Sequence, residues 1–330
     1  MKTLLESSIE LRRAWILVAV LLGLCCRPAA AQTTMISNYS GFKTNVANPN
    51  ITVITNFLTN AIIQLTSSGQ TIQINHSIVI DGGTNAVVFD AQGLTRIFTV
   101  AANCQVTLNN LQLINGTSTN GGAIYNNGTL IISNCIIAGN SATNVTGNNG
   151  ATNNSGDGGN GGSGGTAQGG AIYSRGPISI YYSVVGTNSA LGGNGGSGGS
   201  GGNNLLFGGD GGNAGSGGSA FGGAIYSTGG NNVFVSTEFL DNDCNAGSAG
   251  SGGSPGAGAF AGFGGEGASG GSASGGAVYV AGQESVLVTN CIFAQNTITA
   301  GASGTDISGK NNGYNGGAAQ GGGIYISGSV

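Results

Sequence analysis

Charge is the scarcest commodity in this chain: of 330 residues only 8 are Lys or Arg and 12 Asp or Glu. So few cations, only Arg12 and Arg13 of them adjacent, offer no patch that neutralises phosphates, which argues against nucleic acid as a partner. His76 is the only histidine and no C-x-x-C pair occurs, so zinc-type ligand sets are absent and no cofactor is expected. Strong helix formers are sparse beside 68 glycines, about three times the usual share of roughly 7%. A helical bundle or an ordinary α/β enzyme is thereby excluded, and a β-rich chain is left.

The first 31 residues have a different character. Lys2, Arg12 and Arg13 precede an apolar run from Ala14 to Cys26, and Pro28-Ala29-Ala30-Ala31 before Gln32 gives the small-residue pattern of a signal-peptidase site. The run is too short to span a bilayer comfortably, and no later stretch reaches the 18 apolar residues of a spanning helix. A signal peptide over 1–31, an exported product, and an extracellular, outer-membrane or cell-surface location are therefore expected. Removal of the leader leaves 4 basic and 10 acidic groups, a net charge of −6, and four cysteines: Cys104, Cys135, Cys244 and Cys291.

One phrase organises the rest: GGAIY at Gly121–Tyr125, Gly169–Tyr173 and Gly222–Tyr226, GGAVY at Gly275–Tyr279 and GGGIY at Gly321–Tyr325. A phrase returning about every 50 residues signifies stacked repeats. After it comes a short alternating strand pair, with Leu130, Ile132, Cys135 and Ile137 expected inward in the first full copy and Asn134 at a corner between them. The same frame gives Ile178, Ile180, Ser183 and Val185, then Val286, Val288, Cys291 and Phe293. In the third copy Val233, Val235, Thr237 and Phe239 alternate without interruption, which implies a corner shortened by one residue. Each copy closes with an apolar residue three before an Asn, as in Ile137 and Asn140 or Phe239 and Asn242. Such a unit buries its apolar stripe only by stacking, so the expected fold is all-β, a right-handed parallel β-helix over 66–330. Cys135 and Cys291 fall on one ladder three coils apart, too far to bridge. The chain stops at Ser329-Val330 inside the fifth copy, which suggests a downstream domain in a longer protein.

Four inserts of nearly pure Gly, Ser, Asn and Ala, at about 143–168, 189–221, 245–274 and 299–320, leave the stack at one corner as a fin. Two readings stand side by side: flexible solvated linker, or extended three-residue-per-turn strands packed through bare glycine faces. At the other end, residues 32–65 are expected to cap the solenoid, with a short amphipathic helix over Asn56–Ile63.

The repeats of GGAI, the GTL-type turn and the F-x-x-N closing step resemble those of the polymorphic outer-membrane proteins and related bacterial parallel β-helix proteins. The order Thr71–Ile74, Ile78–Gly82, Arg96–Val100 and Leu111–Gly116 is similar to the N-terminal half of such domains. The resemblance implies a secreted or surface-displayed structural module, often adhesive. It departs from the family in lacking the membrane barrel or sorting domain, and in carrying Ile137 and Val185 in place of Phe.

Because parallel β-helices include pectate lyases and polygalacturonases, a polysaccharide-binding or polysaccharide-cleaving protein is the alternative. It would draw on Glu238, Asp241 and Asp243, with Glu284 one coil on and Arg175 one coil back. Solvated corner acids are the plainer reading. Single carboxylates at Asp157 and Asp210 are too few for calcium. The recurrent Tyr125, Tyr173, Tyr226, Tyr279 and Tyr325 should form a ladder, either facing outward to stack on a surface glycan or another protein, or covering the base of the inserts.

Overall fold

The computed structural model describes residues 35–282, 285–309 and 314–327. The leader, Glu284 and Ser329-Val330 lie outside the described residues. The chain winds as a parallel β-helix. In one turn it runs through Thr129–Ser133, Ile136–Ala138 and Ser141–Thr143, leaves for the first insert, returns at Ala167–Gln168, passes Ile172–Ser174, and begins the next turn at Ile178–Tyr181. Stacked turns make three parallel sheets of seven strands, with a five-stranded and a four-stranded sheet flanking the insert corner. Every pairing is in register with the repeat: Leu130 pairs with Ile178, Ile137 with Val185, and Tyr125 with Tyr173.

Period-2 alternation sends Leu130, Ile132, Cys135 and Ile137 inside, along with Ile178, Ile180, Ser183 and Val185, all of them buried. Corners between sheets take left-handed backbone at Asn110, Asn134, Tyr182, Ser236 and Asn290. The GG of the recurring phrase has two separate causes. Its first glycine has positive φ in all five copies, from +61° at Gly121 to +70° at Gly275. Its second faces carbonyls: a Cβ on Gly122 would stand 2.5 Å from the oxygen of Ser141 and 2.6 Å from that of Gly170. In the first four copies no side chain fits either place.

Two expectations are corrected. The third copy keeps the common corner, at Ser236, with Asn232 and Phe234 inward and Val233 and Val235 half-buried. The two valines looked like the core face, but a buried Asn232, whose Nδ2 donates to the Gly230 carbonyl at 3.2 Å, holds the phase set by Ile178 beneath it. Phe234 meets Phe239 edge-on at 5.5 Å. In the fourth copy Val286 and Val288 hold the inward register above Asn232 and Phe234, with Val288 exposed in the last described turn of that sheet.

The capping helix is α1, Tyr39–Val46, not Asn56–Ile63. Asn38 starts it by accepting from the Gly41 amide at 2.9 Å. Phe42 and Val46, one turn apart, bury the inner face. The Phe42 ring lies 4.8 Å from Phe89 and 6.0 Å from Phe57, so the helix closes onto the first rungs of the interior aromatic ladder. Asn56–Ile63 instead supplies the buried Phe57 and the start of strand Ile62–Gln64, with a left-handed Asn60 between them. No described helix is long and apolar enough to cross a membrane.

Candidate functional site

The inserts are ordered, and they resolve the choice between linker and packed strands in favour of packing. Over its described residues each insert runs outward and back as two extended legs. Outward legs form one layer and return legs a second. Residues Gly195-Gly196-Ser197 show the rule: Gly195 donates to the Ser248 carbonyl of the next outward leg, Gly196 to the Gly162 carbonyl of the other layer, both at 2.8 Å. Ser197 donates to the Asn149 side chain of the leg before, at 2.9 Å. All three amides of the triplet are satisfied, although none bonds within its own leg. The three-residue period is that of polyproline II, whose backbone has no internal hydrogen bonds. A Cβ at Gly147 would lie 1.8 Å from the Gly162 oxygen, so glycine is required there by close approach.

Several third residues of the triplets cap the next coil with their side chains. Asn160 and Asn213 accept from the amides of Asn213 and Glu266 at 2.8 and 2.9 Å. Asp157 and Asp210 do the same for Asp210 and Phe263, at 2.8 and 2.7 Å. The two acids weighed for calcium therefore serve as rungs. Corner acids behave alike: Asp81 accepts from the Nδ2 of Asn110 at 2.7 Å, and Asp90 from that of Asn115 at 2.9 Å.

The five tyrosines stack in one ladder, with ring centroids 4.9, 5.3, 5.2 and 5.3 Å apart from Tyr125 to Tyr325. Ring faces are occupied by neighbouring rings, and Tyr173 and Tyr226 are buried. Phe221, at the base of the second insert, packs 5.0 Å from Tyr279 and 6.1 Å from Tyr226. Burial, reinforced by Tyr279 and Tyr173, pushes the Tyr226 hydroxyl up to about 12.

Arg96, which sequence reasoning did not single out, terminates this ladder. Its guanidinium lies 4.9 Å from the Tyr125 centroid, and its Nε donates to the Gly121 carbonyl at 2.9 Å. Its Nη2 donates to Asn120 and Ser118. Burial lowers its pKa, against the pull of Tyr125. The lone signal in the sequence was an arginine placed one coil before the first Tyr in a chain nearly without cations.

Glu238 stands in strand Glu238–Leu240, in register with Val184 and Ile292, and Asp241 is the exposed left-handed corner just after it. Asp243 accepts from the Thr297 hydroxyl. Arg175 lies in the bend after strand Ile172–Ser174, its guanidinium 5.6 Å from the Tyr173 centroid. Its pKa is raised, first by a hydrogen bond to the Tyr173 hydroxyl. The structure thus brings Glu238, Asp241 and Asp243 along one edge and leaves Arg175 with the tyrosines. Among the described residues no three His, Cys, Asp or Glu side chains converge as metal ligands. No protein-family model, curated protein or solved structure matches the chain.

Proposed function

We propose that the protein is exported and works outside the cell or at its surface as a non-catalytic, adhesin-like scaffold. On this reading the β-helix is a stalk, related in kind to the polymorphic outer-membrane proteins whose repeats it resembles, and the fin is what it displays. The observation that carries the reading is how the polar side chains are used. Asp81, Asp90, Asp157, Asp210, Asn140, Asn188 and Asn242 all bond the next or preceding coil. Groups committed to such ladders build rigidity. A glycine fin whose legs bond one another through their backbone amides gives a stiff display surface that a flexible linker would not.

The test is expression of the whole chain with an epitope inserted at residues 153–156, the polar tip of the first insert. A product cleaved before Gln32 and reached by external antibody on intact cells, or recovered in the medium, is expected. An uncleaved product inside the cell overturns the export. Turnover of polygalacturonate that disappears in E238A/D241A overturns the non-catalytic role.

A further inference from the structure

The second and third inserts end in an apolar cluster: Leu205, Leu206 and Phe207 on one, Phe260 and Phe263 on the other. Leu205 is 96% exposed, Phe263 67%, and the other three more than half. The cluster is held stiffly. Phe260 donates to the Leu206 carbonyl at 2.9 Å, Gly208 to the Phe260 carbonyl at 2.8 Å, and the Phe207 and Phe260 rings stack 5.4 Å apart. Phe263 follows Phe260 by one triplet on the same face. Large side chains kept in water at a rigid tip, in a segment otherwise made of Gly, Ser, Asn and Ala, mark an interaction surface.

The chemistry of the occupant follows from four features. No Lys, Arg, Asp or Glu occurs within 189–209 or 245–265, and the nearest charges are the acids Asp210 and Glu266. An anionic partner is therefore disfavoured. The Phe207 and Phe260 rings cover one face of each other, and the five side chains bring no hydrogen-bonding group to hold a sugar's hydroxyls. Five side chains make a patch of a few hundred Å², below the roughly 800 Å² per partner of a stable protein interface. The patch sits at the turns of two inserts with all five side chains more than half exposed, so its partner needs no matching pocket. A fluid, uncharged apolar phase meets all four.

We propose that this tip inserts into the headgroup–acyl boundary of a zwitterionic lipid bilayer, seating the fin end-on. The insertion is of the interfacial kind, through apolar side chains and without a spanning segment. The proposal rests on the extracellular reading above. Its test is made on purified protein, so a failure of insertion and a failure of export are read separately.

Trp15 is the only tryptophan, so in the full chain carrying W15F/F263W the sole indole sits at the tip. With phosphatidylcholine vesicles its emission should shift to the blue and be quenched by acyl chains brominated near the headgroup. Adding L205S/L206S should weaken that response at least tenfold, with the melting temperature unchanged, and replacing a fifth of the lipid with phosphatidylglycerol should not strengthen it. Vesicle binding without quenching of the tip indole would assign binding to the leader and overturn the proposal. A blue shift that needs no lipid, grows with protein concentration and is lost in L205S/L206S would assign the tip to a second copy. No response at millimolar lipid would also overturn it.

Discussion

The Nδ2 of Asn188 donates to the Oδ1 of Asn242 one coil further on, at 3.0 Å. The same Asn242 oxygen accepts the Asn188 backbone amide at 3.1 Å, while the Asn188 Nδ2 also reaches the Ile137 carbonyl at 3.0 Å. Asn140 stands in the same relation to Asn188, and Asn242 to Asn296. This buried ladder is the physical content of the closing Asn in each repeat. A side chain that both donates and accepts along the stacking axis passes the corner bond from coil to coil.

Replacing Asn188 by Ala should therefore be far more damaging than loss of one hydrogen bond. It strands the buried Asn140 amide and leaves the Ile137 carbonyl without its side-chain donor, at about 1–3 kcal/mol for each unsatisfied group. Denaturant unfolding should lose at least 3 kcal/mol, with the transition broadening as coils on either side uncouple. Asn188→Ser, too short to span the corner, should rescue little. A loss below 1 kcal/mol would show the ladder to be incidental.

The fin makes a second demand. Gly212 donates to the Gly199 carbonyl at 2.8 Å, and a Cβ there would stand 1.9 Å from the Gly159 oxygen. Backbone on both sides has no room to yield, so Gly212→Ala should destabilise the fin by about 3 kcal/mol. Ser216→Ala, at an exposed outward position, should change stability by less than about 0.5 kcal/mol. Amide exchange is the direct readout: Gly196 and Gly212 should be protected in the native protein and should exchange faster in Gly212→Ala. Fast native exchange at both would return the inserts to flexible linker.

Most of the solenoid was legible because its rule is local. Leu130, Ile132, Cys135 and Ile137 differ in period from their flanks, and the corner at Asn134 is a residue suited to left-handed backbone. The register of the tyrosine ladder followed from identical phrases. Where partners come from elsewhere, the sequence was mute. Fin glycines face carbonyls of the opposite leg, as Gly147 faces Gly162, or of a neighbouring insert, as Gly212 faces Gly159, so G-G-x composition serves a random linker and a packed bundle equally well. The capping helix was missed for a related reason: Phe42 and Val46 are too short a pattern to outweigh Asn56–Ile63 until the rings of Phe57, Phe89 and Phe98 are seen to receive them.

The phase of the third coil can be tested directly. Phe234 is fully buried and meets Phe239, while Val233 and Val235 are half-buried on the outer face. Phe234→Ala should cost about 3–5 kcal/mol, as a large core ring removed from a site with little room to collapse. Val233→Ala should cost under about 1 kcal/mol. The order of the two midpoints decides the matter, because the uninterrupted alternation read from the sequence requires the reverse.

Cysteine chemistry gives the last prediction. Cys135 and Cys244 sit inside two different ladders, and burial pushes each thiol up to about 12 from an ordinary value of 9.0. With the leader cysteines removed as C25S/C26S, a thiol reagent at pH 8 should label the partly exposed Cys291 rapidly, and Cys135 and Cys244 only on unfolding. The linkage runs in one direction. Between pH 9 and 12 the unfolded chain releases thiol protons that the folded chain retains, so the stability from these thiols is whole below pH 9 and falls as pH climbs to 12. Tyr226, raised from 10.0 to about 12 by the same desolvation, adds to the loss over the upper part of that window. The melting temperature should therefore decline above pH 9, and C135S should shallow the decline. A slope unchanged in C135S would mean that Cys135 ionises as freely in the fold as outside it.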